Sequence, residues 1–125
     1  MIPSVPTRLP IWLSIAAKRF KKEFPEAAQI EVVDTLAYLA AGHWPGDGRV
    51  RWMTEIGPQA VQITTKGDKV TFRTVAVVKA PDGNLYVIAA FKKKSKSGRA
   101  TPKEELDTIQ ARYDELMREL RRTKR

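Results

Sequence analysis

The sequence predicts an α+β fold with an N-terminal helical hairpin, a small antiparallel sheet of three or four strands, and one C-terminal helix. Three observations predict it. Apolar residues recur at helical spacing before residue 41, alternate with a period of two between residues 60 and 92, and return to helical spacing after residue 101. The 125 residues suffice for one domain, so we treat 1–125 as a single unit.

The first 41 residues predict an extended lead-in and two helices. Residues 1–10 contain three prolines, which favour extended backbone. Ser14 is the expected N-cap of the first helix, and Pro25 fits the first turn of a second helix from about Glu26 to Ala41. The two segments form a helical hairpin or one kinked helix. The stripe expected to face the core consists of Ile30, Val33, Ala37 and Ala40.

The middle of the chain predicts an antiparallel meander. Strands are expected at "AVQITT" (60–65), "KVTFRTVAVV" (69–78) and "LYVIAAFK" (85–92), which are rich in β-branched residues. The turn signals "KGD" (66–68) and "APDGN" (80–84) separate them. Two hairpins in series require at least three antiparallel strands.

The last element is a predicted helix with clear start signals. Thr101 is the expected N-cap, Pro102 occupies the first helical position, and Glu104 supplies the carboxylate of a capping box. Its apolar seam consists of Leu106, Ile109, Tyr113, Leu116 and Leu120. The basic tail, 118–125, is expected to fray beyond this seam, with a nucleic-acid contact as the alternative.

Positive charge is concentrated near the C-terminus. The net charge is +9, yet residues 91–103 carry six cations and no acid, residues 118–125 carry five cations and one acid, and the remainder holds 12 basic and 13 acidic residues. This distribution is typical of a protein that contacts nucleic acid. From the residues alone two interpretations stay open: a solvated loop that binds phosphate, or a reactive lysine cluster in which like charges lower the pKa values.

Several classes of site are excluded by composition. There is no cysteine and only one histidine, His43, so disulfides, thiol nucleophiles and Cys- or His-based metal clusters are excluded. We expect no cofactor and no metal. No apolar run has the length of a signal peptide core or a membrane span, so the sequence predicts a cytoplasmic protein without membrane contact.

A resemblance to a known family rests on three segments. Residues 91–103, "FKKKSKSGRATPK", together with the preceding strand and the following helix, resemble the C-terminal half of the phage-derived, HigB-like branch of the RelE/ParE toxin superfamily. "FPEAAQIEVVDTLAYLA" (24–40) is similar to the family's second helix, and "VTFRTVAVV" (70–78) to its arginine-bearing middle strand. The resemblance covers about residues 20–117.

The resemblance implies a toxin of a type II toxin–antitoxin module. Such toxins cleave mRNA, commonly at the ribosome, and are neutralised by an antitoxin that often carries a helix-turn-helix domain. Cleavage then proceeds without metal, by attack of the RNA 2′-hydroxyl on the adjacent phosphate. The implied catalytic residues are Arg73, Lys92 and Lys94. The implied RNA-binding residues are Lys93, Lys96 and Lys103. Two further cations of this chain, Arg99 and Arg51, are added as candidate RNA-binding residues.

One departure from the family pattern leaves other functions open. Many relatives carry a histidine where this chain has Ala89, so proton transfer at that position is impossible here. A non-enzymatic toxin that binds DNA gyrase, as the ParE side of the superfamily is thought to do, would tolerate this loss. A phage-encoded nucleic-acid-binding module without nuclease activity is the third possibility.

Overall fold

The fold consists of five strands and three helices. The structure, a computed structural model, describes residues 9–94 and 101–123. In chain order the elements are β1 (Ile11–Trp12), α1 (Ser14–Glu23), α2 (Glu26–Ala40), β2 (Val50–Trp52), β3 (Ala60–Lys66), β4 (Val70–Val77), β5 (Tyr86–Lys94) and α3 (Lys103–Thr123). The α+β class and the C-terminal helix are confirmed, whereas the first strand of the sheet precedes the two N-terminal helices.

The sheet has more strands than the sequence predicts. Its order is β1-β5-β4-β3-β2, and every neighbouring pair is antiparallel except β1 and β5, which run parallel. The expectation of three or four strands was wrong because β1 and β2 have only two and three residues, too few to display alternation. Pairing with β5 defines β1: the Ile11 amide donates to the Leu85 carbonyl at 2.8 Å.

Helices cover both faces of the sheet, so the protein has three layers. Helices α1 and α2 close one face, and α3 closes the other. The core of the first face includes Phe20, Phe24, Val32, Leu36, Leu39, Val61, Ile63 and Phe72. The core of the second face includes Met53, Val75, Val77, Ile88, Phe91, Ile109, Tyr113 and Met117. Strands between two apolar layers bury both of their faces, which explains why β4 and β5 are apolar at successive positions.

The predicted core stripe of α2 was wrong. The residues that face the sheet are Ala28, Val32, Thr35, Leu36 and Leu39, whereas Ile30 and Val33 are 56% and 50% exposed. Of the predicted stripe, only Ala40 packs against the core, and it is partly buried. Because α2 carries apolar residues around most of its circumference, periodicity alone does not single out one face. The inner face holds the two leucines, and larger side chains remove more apolar surface from water.

The helix starts also differ in detail from the prediction. Helix α1 begins at Ser14 itself, with Leu13 in the capping position and no side-chain cap, and Pro25 is the N-cap residue of α2. Helix α3 begins at Lys103, and the Thr101 hydroxyl bonds to side chains of the sheet. The first part of the basic tail is helical through Thr123, so the expectation that it frays was wrong for these residues.

Helix α3 packs on the second face of the sheet from Leu106 to Leu120. Its predicted seam is confirmed: Ile109, Tyr113 and Leu116 are buried, and Leu106 and Leu120 pack against them. The Tyr113 hydroxyl donates to the Pro58 carbonyl at 2.8 Å. No described helix has an apolar stretch long enough to cross a membrane.

Candidate nucleic-acid interface

The two faces of the sheet separate the cations that the sequence places next to each other. In the β4–β5 register Phe72 pairs with Lys92, Thr71 with Lys93, and Arg73 with Phe91. Paired residues project to the same face, and successive residues project to opposite faces. Phe72 belongs to the core beneath α1 and α2, so Lys92 lies on that face and is exposed. Arg73 and Lys93 lie together on the α3 face.

Arg73 is held by a buried hydrogen-bond network at the start of α3. Its Nη1 atom donates to the Thr101 hydroxyl at 2.9 Å, and that hydroxyl donates to Gln62 Oε1 at 3.1 Å. The exposed fractions are 7% for Arg73, 7% for Thr101 and 3% for Gln62. The network therefore joins β3, β4 and the N-terminus of α3, and it fixes the guanidinium in one orientation.

Like charges meet on this face. Burial and then the nearby charge of Arg51 lower the pKa of the Arg73 guanidinium. Burial and then the charge of Arg73 lower the pKa of the Lys93 ammonium. Arg51 itself is exposed and forms an ion pair with Glu55 at 3.1 Å. Arg73 on β4 thus lies within electrostatic reach of both Arg51 on β2 and Lys93 on β5, and a bound anion would offset this repulsion. We call Arg51, Arg73 and Lys93 the cation cluster.

The other predicted cations lie elsewhere or outside the described residues. Lys103 is exposed at the first position of α3 and forms an ion pair with Asp107 at 2.9 Å. The backbone of Lys94 pairs with Val70. Lys96 and Arg99 lie outside the described residues. Among the described residues, Arg73, Lys93 and Arg51 are therefore the predicted site residues that the fold brings together.

Ala89 lies in an apolar part of the interior. It is 3% exposed, pairs with Val75 next to a β-bulge, and belongs to the core beneath α3. A proton-transfer group is absent at this position. His43, the single histidine, is exposed in the loop after α2, where its ring lies 5.0 Å from that of Tyr38.

Two residues of the network were not predicted as site residues. Thr101 was expected to be a helix cap, and Gln62 was expected to be an ordinary alternating strand residue. The sequence signal for a site residue was the polar Gln62 between the apolar Val61 and Ile63, and all three residues are buried in the structure.

In the described residues, no group of three or more His, Cys, Asp or Glu side chains lies close enough to hold a metal ion.

The chain matches a known protein family over most of its length. Residues 19–114 match the family described as phage derived protein Gp49-like (DUF891). The chain belongs to this family. The Gp49-like proteins are a phage-derived toxin family, and the match runs from α1 into α3, so that it includes the whole cation cluster and Thr101. No curated protein matches this chain.

Proposed function

We propose that this chain is the toxin of a type II toxin–antitoxin module and that it cleaves mRNA at the ribosome. The observation that carries the proposal is the juxtaposition of Arg73 and Lys93 on one face of the sheet, with Thr101 orienting the guanidinium. Membership in the Gp49-like family supports the toxin part of the proposal. The cation cluster supports the RNA part, because converging cations bind phosphate.

Arg73 is suited to stabilise charge on the reacting phosphate. When the 2′-hydroxyl attacks the adjacent phosphorus, negative charge develops on the equatorial oxygens of the phosphorane. A guanidinium presents a planar set of donors that matches two of these oxygens and keeps its charge at all relevant pH values. Nη1 of the guanidinium donates to the Thr101 hydroxyl, and this bond fixes the direction of the remaining N–H donors. The guanidinium therefore needs no reorganisation during the reaction.

Lys93 is suited to transfer the proton. Its lowered pKa raises the fraction of neutral amine, which accepts the 2′-hydroxyl proton as the new P–O2′ bond forms. The P–O5′ bond then breaks, which leaves a 2′,3′-cyclic phosphate, and the leaving 5′-oxygen takes up a proton from water. The sequence assigns this chemistry to Lys92 and Lys94. Because Lys92 lies on the opposite face from Arg73, we assign the proton transfer to Lys93.

The remaining cations are proposed to hold the RNA strand. Arg51, at the exposed end of the cation cluster, and Lys103, at the start of α3, would contact neighbouring phosphates. Lys94, Lys96 and Arg99 belong to the same basic stretch of sequence and are proposed as further contacts to mRNA and ribosomal RNA. Lys92 lies on the opposite face of the sheet, so it would contact RNA only apart from the cation cluster. The proposed protein partner is an antitoxin with a helix-turn-helix domain.

A second function is favoured by one observation. The position at which relatives carry histidine is buried and apolar in this chain, since Ala89 packs beneath α3. A toxin that acts by binding DNA gyrase needs no titratable group there. It would arrest growth with intact mRNA and with DNA damage.

The test compares two adjacent lysines that differ in the face they occupy. Wild type, Lys93→Ala and Lys92→Ala are expressed from an inducible promoter, and mRNA 5′ ends are mapped after induction while growth is followed. We expect new 5′ ends within coding regions for wild type. The cleavage rate should fall by about 10²–10⁴-fold in Lys93→Ala and change by only a few fold in Lys92→Ala. Arg73→Lys retains the charge but removes the planar set of donors, so its cleavage rate should fall by about 10²–10³-fold.

Three outcomes would contradict the proposal. Growth arrest without new 5′ ends favours the gyrase-binding toxin. A large loss of mRNA cleavage in Lys92→Ala, with little change in Lys93→Ala, would assign the proton transfer to Lys92, as the sequence predicts. No growth arrest and no cleavage for the wild type overturns the toxin function itself. Circular dichroism of each purified variant checks that the fold is retained.

A further inference from the structure

The outer face of α2 carries several exposed apolar residues at neighbouring positions. Ile30, Val33 and Tyr38 are 56%, 50% and 47% exposed, and Ala27 and Ala37 lie on the same face. Residues 30, 33 and 37 follow helical spacing and form one stripe along the helix. Single exposed apolar residues are common, but a continuous stripe on a helix is typical of a surface that binds another protein.

The stripe has an acidic border in a strongly basic protein. Glu26 and Asp34 lie on the same outer side of α2, and the helix has no basic residue at any position. Arg49 borders α2 and forms an ion pair with Asp47 at 2.6 Å. The net charge of the chain is +9, so the charged residues of α2 differ in sign from the cation cluster. The sheet also separates the two, because α2 packs on one face and Arg73 and Lys93 lie on the other.

This charge pattern decides between two kinds of occupant. In a symmetric pair of chains that packed through α2, the acidic border of one copy would meet the acidic border of the other, and like charges disfavour such an interface. A helix with an apolar stripe bordered by lysine or arginine would match both the stripe and its border. Charge complementarity therefore points to a basic amphipathic partner helix and not to a second copy.

We infer that the outer face of α2 is the docking surface for an amphipathic helix of the antitoxin, with basic residues on both sides of its apolar stripe. The inference rests on the proposed function for the identity of the partner. The binding step itself requires only the residues of this face.

The test uses two synthetic helical peptides of about 20 residues, long enough to be helical in water. Both carry leucine at the i, i+3, i+4 and i+7 positions; one has lysine beside the stripe and the other has glutamate. Their binding to the full chain is measured by fluorescence anisotropy. We expect the lysine peptide to bind wild type and to lose about tenfold in affinity to the Ile30→Ala/Val33→Ala variant. Asp34→Lys should weaken the lysine peptide and strengthen the glutamate peptide.

The matched control is Ile15→Ala, since Ile15 on α1 is as exposed as Ile30 but lies outside the stripe. It should bind the lysine peptide as wild type does. Alanine has a higher helix propensity than isoleucine or valine, so the Ile30→Ala/Val33→Ala variant should stay folded, which thermal unfolding verifies.

The inference is overturned if the lysine peptide does not bind, or if Ile15→Ala weakens binding as much as the stripe variant. It is also overturned if sedimentation shows a wild-type dimer that Ile30→Ala/Val33→Ala dissociates, because the occupant is then a second copy. None of these assays contains RNA. Lost peptide binding with intact mRNA cleavage therefore contradicts only this inference, and lost cleavage with intact binding contradicts only the proposed function.

Discussion

Replacing Thr101 with valine should destabilise the protein far more than its position before a surface helix implies. Valine keeps the shape of the side chain and removes the hydroxyl, which accepts a hydrogen bond from Arg73 at 2.9 Å and donates one to Gln62 at 3.1 Å. All three residues are buried, so solvent does not screen or replace these bonds. The substitution leaves both partners without this contact in the interior.

The magnitude follows from the types of bond. A hydrogen bond to a charged group contributes about 1.5–3 kcal/mol, and a neutral one about 1 kcal/mol. Because one hydroxyl makes both, we expect a loss of about 2–4 kcal/mol in the free energy of unfolding. The same substitution frees the Arg73 guanidinium to move, so the rate of RNA cleavage should fall as well.

Urea unfolding followed by circular dichroism measures this loss. The matched control is Thr108→Val on α3, whose hydroxyl is exposed and donates to the Glu104 carbonyl at 3.1 Å. It should change stability by at most about 0.5 kcal/mol. A double-mutant cycle with Gln62→Leu should give a coupling energy of about 1 kcal/mol. Equal effects of Thr101→Val and Thr108→Val would refute the reasoning, as would an absence of coupling to Gln62.

Two further predictions concern packing and pH. A Cβ atom at Gly57 would lie 2.5 Å from Cζ of the buried Tyr113 ring, so Gly57→Ala should lower the free energy of unfolding in urea by about 1–3 kcal/mol. As the control, a Cβ atom at Gly46 meets no atom within 4 Å, so Gly46→Ala should leave the free energy of unfolding nearly unchanged. For Lys93, burial and then the Arg73 charge lower the pKa in the folded state, so the unfolded chain binds more protons between that pKa and the ordinary value of 10.5. The stability of wild type relative to Lys93→Met should therefore increase as pH rises toward about 10.5 and then level off, and a difference that stays flat or falls would contradict this prediction.

The sequence alone determined the elements whose signals are local. The last helix has a seam of five apolar residues from Leu106 to Leu120, and the long strands β3, β4 and β5 are rich in β-branched residues between clear turns, so their type follows from short-range patterns. It also determined that the positive charge is concentrated near the end of β5. Each of these features depends only on residues that are close together in the sequence, within one or two helical turns or a few strand positions.

Only the tertiary structure decided which faces these elements present. The apolar residues of α2 permit two stripes, and packing on β3 selected the one with Leu36 and Leu39. Register between β4 and β5 placed Lys93, and not Lys92, beside Arg73, because side chains alternate along a strand. Thr101 became part of the site for the same reason: its partners lie 28 and 39 residues away in the chain, a separation at which no local pattern carries information.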